Sequence, residues 1–339
     1  MYDVVTIGSN TLDSFVKTGA EVRKVFHKQR IDGRIVESED ESLVYPVGDK
    51  ILVDQLEFQI GGGGTNTADS FKTMGLKTGY IGKIGGDYNG VQVYKYLEDN
   101  NIEFLGSIGS QNGFSVILDS VSDDRTILAY KGCNDELGYN EIKKEALNTK
   151  WLYCSSMMGD SYKTLKMLVR KAKEKQVKVA FNPSIYQARE GISKLKSVLN
   201  CLDLLVFNKE ECLAMTREEK VQNAILKLKK IVPGIIIVTD GGRGAFLYDG
   251  RKAFIGSPKK NVKIKETTGA GDAFASAVTT GLVNGEKVEE ALKMGFIQSE
   301  SVIQSYGAKK GLLSKKKMES KLKKDNRIIK KVSLKEVEL

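Results

Sequence analysis

The sequence predicts an α/β fold: a central, mostly parallel sheet with helices on both faces, plus a small β-sheet lid. Short apolar runs close on a glycine or a polar residue at four places: residues 4–7 before Gly8, 177–181 before Asn182, 204–207 before Asn208 and 235–238 before Thr239. Amphipathic stretches of helix length, among them 162–175 and 221–230, separate such runs. Strands that are apolar throughout and alternate with helices belong to parallel sheets covered on both faces, and these bind ligands beyond the carboxyl ends of their strands. Asn182, Asn208 and Thr239 are therefore expected on one rim.

Two stretches depart from this rhythm. In residues 14–59, Leu52, Leu56 and Phe58 stand among polar neighbours, and in 113–131 the segments 114–119 and 125–130 read as two strands joined by a polar turn. Half-exposed antiparallel hairpins fit both patterns better than βαβ units. The expected organisation is a large α/β domain from residues 1–13, 60–112 and 132–313, and a lid from 14–59 and 113–131. In the remaining segment, 314–339, Ser314 can cap a basic, solvated helix reaching Lys324, and Val332, Leu334 and Val337 alternate like a strand.

Composition narrows the function classes. The chain has 339 residues, 53 Lys+Arg against 43 Asp+Glu for a formal charge of +10, with 41% hydrophobic and 28% charged residues. That is a globular balance, long enough for one large α/β domain or two modest ones, and it excludes a tail or a fibre. The basic excess is local, because residues 309–339 hold twelve Lys/Arg and four Asp/Glu. Without interleaved aromatics, this segment reads as a solvated surface rather than a nucleic-acid arm. The only histidine, His27, lies in a polar run and is expected to be exposed, so neither a His-rich metal site nor a Ser-His or Cys-His pair can form away from it. Cys133, Cys154, Cys201 and Cys212 show no C-x-x-C spacing. Together with the lack of a membrane-length apolar run and a strand-like start at Tyr2, this points to a reducing cytoplasm and to no membrane partner.

Chemistry concentrates in glycine-rich segments. Glu266-Thr-Thr-Gly-Ala-Gly-Asp272 opens a small-residue helix, where converging N–H groups and the helix dipole make an anion cradle beside a carboxylate able to take a proton from a hydroxyl. A tight turn with an ordinary first-turn acid would look the same. Gly61-Gly-Gly-Gly-Thr-Asn66 lets a ligand approach the backbone and offers an amide suited to a sugar hydroxyl; as a plain segment it would be a hinge. It is neither a Walker loop nor a spaced dinucleotide fingerprint. Asp13, just past the first strand, could accept two hydrogen bonds from a diol. Asn208-Lys-Glu-Glu211 and Thr239-Asp-Gly-Gly-Arg-Gly244 each follow an apolar strand, where an amide, a carboxylate and a hydroxyl can converge on phosphates and Mg²⁺.

The order Asp13, Gly61–Asn66, Gly85-Gly-Asp87, Gly132-Cys-Asn134, Asn208-x-x-Glu211, Thr239-x-Gly241 and Thr268-Gly-Ala-Gly-Asp272 resembles the ribokinase-like, phosphofructokinase-B carbohydrate kinase family over residues 3–313. The resemblance implies a ribokinase-like fold and transfer of the ATP γ-phosphoryl group to a hydroxyl of a sugar-like substrate. It makes Asp272 the general base and the backbone of Gly269, Ala270 and Gly271 the anion hole. Asn208 and Glu211 would help hold Mg²⁺ and phosphate; Thr239, Gly241, Gly244 and Thr268 would line the nucleotide; Asp13, Gly62, Gly63 and Asn66 would hold the sugar. It also admits an activating monovalent cation, although Glu266 stands where members commonly have Asp. Gly63 stands where ribokinases carry Lys, and no glutamate flanks Ser155-Ser156. A nucleoside kinase, a catalytically silent protein on the same fold and, more remotely, a Rossmann oxidoreductase are the alternatives. A half-apolar lid sheet with free edges further predicts a homodimer.

Overall fold

The computed structural model describes residues 1–18, 22–31, 34–44, 47–119 and 125–334, with the side chains of 18–43, 119 and 125 left aside. The side chain of His27, the turn at 120–124 and Val337 thus lie outside the described residues. The chain opens with β1 (Tyr2–Ile7), β2 (Thr11–Thr18), β3 (Val22–Ile31), β4 (Arg34–Leu43) and β5 (Val53–Gly61), then α1 (Gly63–Thr73). Next come β6 (Thr78–Ile81), β7 (Lys83–Gly85), α2 (Tyr88–Asp99), β8 (Glu103–Phe104), β9 (Ser107–Gly109), β10 (Gly113–Asp119) and β11 (Arg125–Tyr130). Single strands then alternate with one or two helices: β12 (Thr149–Ser155), α3 (Gly159–Glu174), β13 (Lys178–Asn182), α4 (Ile185–Arg189), α5 (Gly191–Leu199), β14 (Leu204–Asn208), α6 (Lys209–Thr216), α7 (Val221–Lys229) and β15 (Ile235–Thr239). The last elements are β16 (Ala245–Tyr248), β17 (Ala253–Gly256), α8 (Ala270–Val283), α9 (Val288–Val302), α10 (Lys315–Lys323) and β18 (Lys330–Val332).

Ten strands form one sheet in the order β18-β17-β16-β15-β14-β13-β12-β1-β6-β8. From β15 to β8 neighbours run parallel, and β16, β17 and β18 add antiparallel at one end. The side-chain period of two sends adjacent residues of β1 to opposite cores. Val5 and Ile7 join Leu165, Val198 and Ile225 of α3, α5 and α7, while Val4 joins Phe71, Phe274 and Phe296 of α1, α8 and α9. Both faces are therefore covered, as the uninterrupted apolar strands require.

A separate sheet, ordered β11-β10-β2-β5, rises from the loops at the carboxyl side of β1. Its β10–β11 and β2–β5 pairs are antiparallel, as the alternating pattern predicts, but β2 and β10 pair in parallel, Asp13 opposite Ser115. Alternation within one strand carries no information about which distant strand it joins, so this pairing was invisible locally. Because β2 begins at Thr11, the boundary expected after residue 13 falls inside a strand, and Asp13 sits on the small sheet rather than in a loop. β3 and β4 make a ribbon of their own.

The C-terminal segment also departs from a purely solvated helix. Ser314 caps α10 by accepting from the Lys317 N–H, yet Met318 is buried against Met74, Ala277, Met294, Ile297 and Leu313. β18 pairs with β17, and Val332 and Leu334 pack on the core. Burying one large apolar side chain contributes about 1.5–3 kcal/mol, enough to hold a helix of this length on the body.

Candidate active site

Two glycine-opened helices face one another. α1 has Gly62 at its N-cap with φ 95° and no side-chain cap, and its first turn presses so close to β1 that a Cβ on Gly64 would fall 2.6 Å from the Gly8 carbonyl carbon and 2.7 Å from the Tyr80 ring. Only glycine permits that approach. One turn on, Asn66 Nδ2 donates to Asp272 Oδ2 at 3.0 Å, leaving the buried Asn66 Oδ1 without a partner. α8 has Gly269 at its N-cap in the left-handed region, φ 75°, and runs on through small buried residues that include Ala273, Ala275, Ser276 and Ala277. Ser276 Oγ donates to Ser70 Oγ at 2.7 Å, fastening α8 to α1 below the site.

Burial pushes the Asp272 carboxyl up to about 6, against the pull of the Asn66 hydrogen bond and the Lys309 charge. A carboxylate in this range is suited to accept a proton near neutral pH. Asp13 is also pushed up by burial, with hydrogen bonds from Thr11 and Ser115 opposing it, and its Oδ1 has no partner. Burial carries Glu211 up to about 7, with Glu210 and Asp272 adding to the shift and the Asn208 N–H opposing it.

A cavity of about 400 Å³ is lined by Gly63, Asn208, Glu211, Thr239, Gly269, Gly271 and Asp272 from the sequence-derived set. Asn182 lines it too, so the three strand ends expected on one rim do share it. Asn66 reaches the cavity through Asp272, and Asp13 lies against Gly61, where a Cβ would fall 1.9 Å from its Oδ2. Gly62, Ala270 and Thr268 flank the two helix mouths without lining the cavity, and Gly241 and Gly244 shape the turn after β15 that Asp240 N–H closes on Gly244 O at 2.8 Å.

The donors fit a loosely held Mg²⁺ rather than a protein cage. Asn208 Oδ1 accepts from Glu211 N–H at 2.8 Å and Glu211 Oε2 accepts from Asn208 N–H at 2.9 Å, so each is engaged in capping α6. Among the described residues no group of three or more His, Cys, Asp or Glu could hold an ion by itself. Mg²⁺ keeps several waters and is usually bound through one or two carboxylates plus substrate phosphate, and Glu211 on the cavity wall, with Asn208 beside it, can supply such a carboxylate. Glu266, the departure at the possible monovalent-cation site, accepts from Gly307 N–H at 2.6 Å. Its carboxylate braces a turn.

Sequence reasoning missed three contributors. Ser155 Oγ is buried and unpartnered on the cavity wall, and Asn10 locks the start of the small sheet by exchanging hydrogen bonds with Asn134 at 2.9 and 2.8 Å. Lys309, in a run that reads as part of a basic tail, brings its charge to Asp272 and Asp13. Nothing local marks it.

A family model described as pfkB family carbohydrate kinase matches residues 35–315. An uncharacterized sugar kinase of Archaeoglobus fulgidus is 27% identical over 247 residues, 70% of this chain and 96% of that protein. A cytidine kinase of Thermococcus kodakarensis is 26% identical over 280 residues, 79% of this chain and 94% of that protein. Among solved structures, ribokinase of Arabidopsis thaliana complexed with ribose and ATP superposes with a TM-score of 0.78 at 20% identity, covering 95% of this chain and 99% of that one. The nucleoside kinase of Methanocaldococcus jannaschii gives 0.77 at 19% identity, covering 96% and 99%. No helix among the described residues is long and apolar enough to cross a membrane.

Proposed function

The chain belongs to the pfkB family of carbohydrate kinases and is an ATP-dependent kinase of a sugar or nucleoside, and from that premise we propose that Asp272 is its general base and a sugar hydroxyl its acceptor. The observation that carries the reading is a carboxylate of raised pKa at the mouth of one glycine-opened helix, held at 3.0 Å by the amide of the other. In this reading the acceptor oxygen loses its proton to Asp272, forms the new bond to the γ-phosphorus and releases ADP. Phosphoryl transfer asks for positioning and charge neutralisation more than for a covalent nucleophile, so a chain with one histidine loses nothing by it. The N–H groups at Gly269, Ala270 and Gly271 receive the developing phosphoryl charge. Thr239, Gly241, Gly244 and Thr268 flank the nucleotide; Asp13, Gly62, Gly63 and Asn66 hold the sugar, the free Asp13 Oδ1 and Asn66 Oδ1 accepting from its hydroxyls. Mg²⁺, held through water and phosphate by Asn208 and Glu211, would supply charge neutralisation when bound.

The small sheet serves as the lid, excluding water that would otherwise hydrolyse ATP. Its exposed apolar side chains support pairing of two lids in a homodimer.

An ATP-consumption screen across pentoses, hexoses, sugar phosphates, inositol and nucleosides tests the reading, run in parallel on Asp272→Asn. One acceptor class should stimulate ADP formation, and the variant should lose that stimulation by about 10²–10⁴-fold. Near-wild-type turnover in a well-folded Asp272→Asn, or no response to any class, overturns it. A nucleoside acceptor is the second reading, favoured by the cytidine kinase match across 94% of that relative, and the nucleoside arm of the screen separates the two.

A further inference from the structure

A second cavity, of about 470 Å³, opens at the other end of the large sheet from the reaction cavity. Residues 143–147 lead into Thr149, the first residue of β12, and Lys175 follows the last turn of α3 on the way to β13, so the second cavity lies at the amino ends of these two strands. The reaction cavity takes Ser155 and Asn182 from their carboxyl ends. The 7 residues of β12 put roughly 20 Å between the two.

Its floor is apolar, made by Ile142, Ala146, Leu147 and Leu168, the last three of them buried. Its rim is cationic. Lys143 and Lys144 come from the segment before β12 and Lys171 and Lys175 from the end of α3; all four are exposed, and among the described residues no acidic side chain lines the cavity. Glu141 and Glu145 flank the first pair in sequence but stay out of the wall, Glu141 being held by Lys83 at 2.8 Å. Lys171 shares the exposed Glu174 with Arg170, an arrangement worth little in water. Lys143, Lys144 and Lys175 make no ion pair among the described residues.

Lysines at the end of a helix meet the negative pole of its dipole, which accounts for Lys171 and Lys175. It does not account for Lys143 and Lys144, which belong to another segment. Four like charges round one cavity repel one another, and an anion seated among them relieves that repulsion. An apolar floor beneath the charges asks for an anion with an apolar body, because inorganic phosphate or a sugar phosphate would leave the floor in contact with water.

We propose that this cavity is a second ligand site, separate from the reaction cavity, for an organic polyphosphate with a flat apolar body, the chemistry of a nucleoside triphosphate. The phosphates lie among the four lysines and the base covers Ile142 and Leu168. A cavity of this volume encloses a small molecule, whereas a nucleic-acid strand needs an open track. The site does not depend on the kinase reading, since no residue of the reaction cavity enters it.

Methyl NMR of the full chain labelled at isoleucine and leucine reads the floor directly, because no isoleucine or leucine among the described residues lines the reaction cavity. The Ile142 signal is assigned by its loss in Ile142→Val. The probe is the non-hydrolysable ATP analogue AMP-PNP with Mg²⁺, titrated at physiological ionic strength, where attraction between exposed charges is screened beyond about 8 Å. The Ile142 signal should shift and saturate. In the triple variant Lys143→Gln, Lys144→Gln, Lys175→Gln the midpoint should rise at least tenfold, and the same spectra report that the variant is folded. Removing three charges elsewhere, by Lys315→Gln, Lys316→Gln and Lys317→Gln, should move it less than twofold. Inorganic tripolyphosphate should need about tenfold more ligand than AMP-PNP, since it leaves the floor uncovered. An Ile142 signal that stays in place in wild type overturns the proposal, whether or not any variant folds. So does a midpoint unchanged in the folded triple variant, or tripolyphosphate binding as tightly as AMP-PNP. A single-stranded RNA that shifts the same signal at lower concentration than AMP-PNP would overturn it in favour of a nucleic-acid surface.

Discussion

Burial raises the Asp272 carboxyl from an ordinary value of 3.8 to about 6, and this has a thermodynamic counterpart. Between those values the folded protein holds a proton that the unfolded chain has released, so stability falls as pH rises through the window and stays reduced above it. Discounted for partial solvent access, the cost at neutral pH is on the order of 2 kcal/mol. Asp272→Asn should therefore be more stable than wild type in urea at pH 7 and lose that advantage toward pH 4, while phosphoryl transfer drops by about 10²–10⁴-fold. A variant that is both inactive and destabilised at pH 7 would contradict this. The acid limb of the wild-type rate profile should lie between about 6 and 7, and its midpoints belong to the Asp272–Glu211 pair rather than to either acid. At this scale the sequence was uneven. Asp272 and Asn66 stand inside glycine-rich motifs, whereas Lys309 looks like one more charge beside a basic tail.

The mouths of α1 and α8 show what an element contributes that a residue cannot. At Gly269 a left-handed φ of 75° coincides with contact on Ala308, so Gly269→Ala meets both backbone strain and overlap. Strain of this kind costs about 1–2 kcal/mol. With the overlap added, denaturation should register a loss of roughly 2 kcal/mol or more, and turnover should fall about tenfold or more as the cradle shifts. Gly271→Ala is the control, because nothing stands within 4 Å of the added carbon. Its stability should be nearly unchanged, so any loss of turnover reports crowding at the phosphoryl position. The glycines were legible as a motif. Their contrast was not, since only the packing of residues 307–310 under α8 separates a glycine that must be one from a glycine that leaves room.

Across the whole molecule, the basic C-terminus divides into a charged face and a buried one. Replacing Lys315, Lys316 and Lys317 by Gln should leave the kinase constants within about twofold, and oligonucleotide binding should be weak and collapse across a salt series, as counterion release requires. Sequence-selective binding that survives physiological ionic strength would instead assign this surface a partner. Met318→Asp should be destabilising by several kcal/mol, since it places a carboxylate among Met74, Met294 and Ile297. The small sheet leaves Leu56, Phe58, Leu128 and Tyr130 more than half exposed, which supports the proposed dimer. Light scattering should give a dimer mass, and a fully active monomer at working concentration would refute it.

The sequence by itself determined the α/β class, the strand ends that line the rim and the two glycine segments, because each is written in contiguous residues whose period or backbone freedom is a local property. Runs 204–207 and 235–238 are short, apolar throughout and closed by a polar residue, the pattern of strands covered on both faces, and the contiguous glycines of Gly61–Asn66 free the backbone for close approach. The parallel pairing of β2 with β10, the Asn66–Asp272 hydrogen bond and the Lys309 charge were decided by tertiary structure alone. Each joins residues far apart in the chain, and the energies that select them depend on distance and burial, which exist only once the chain has folded.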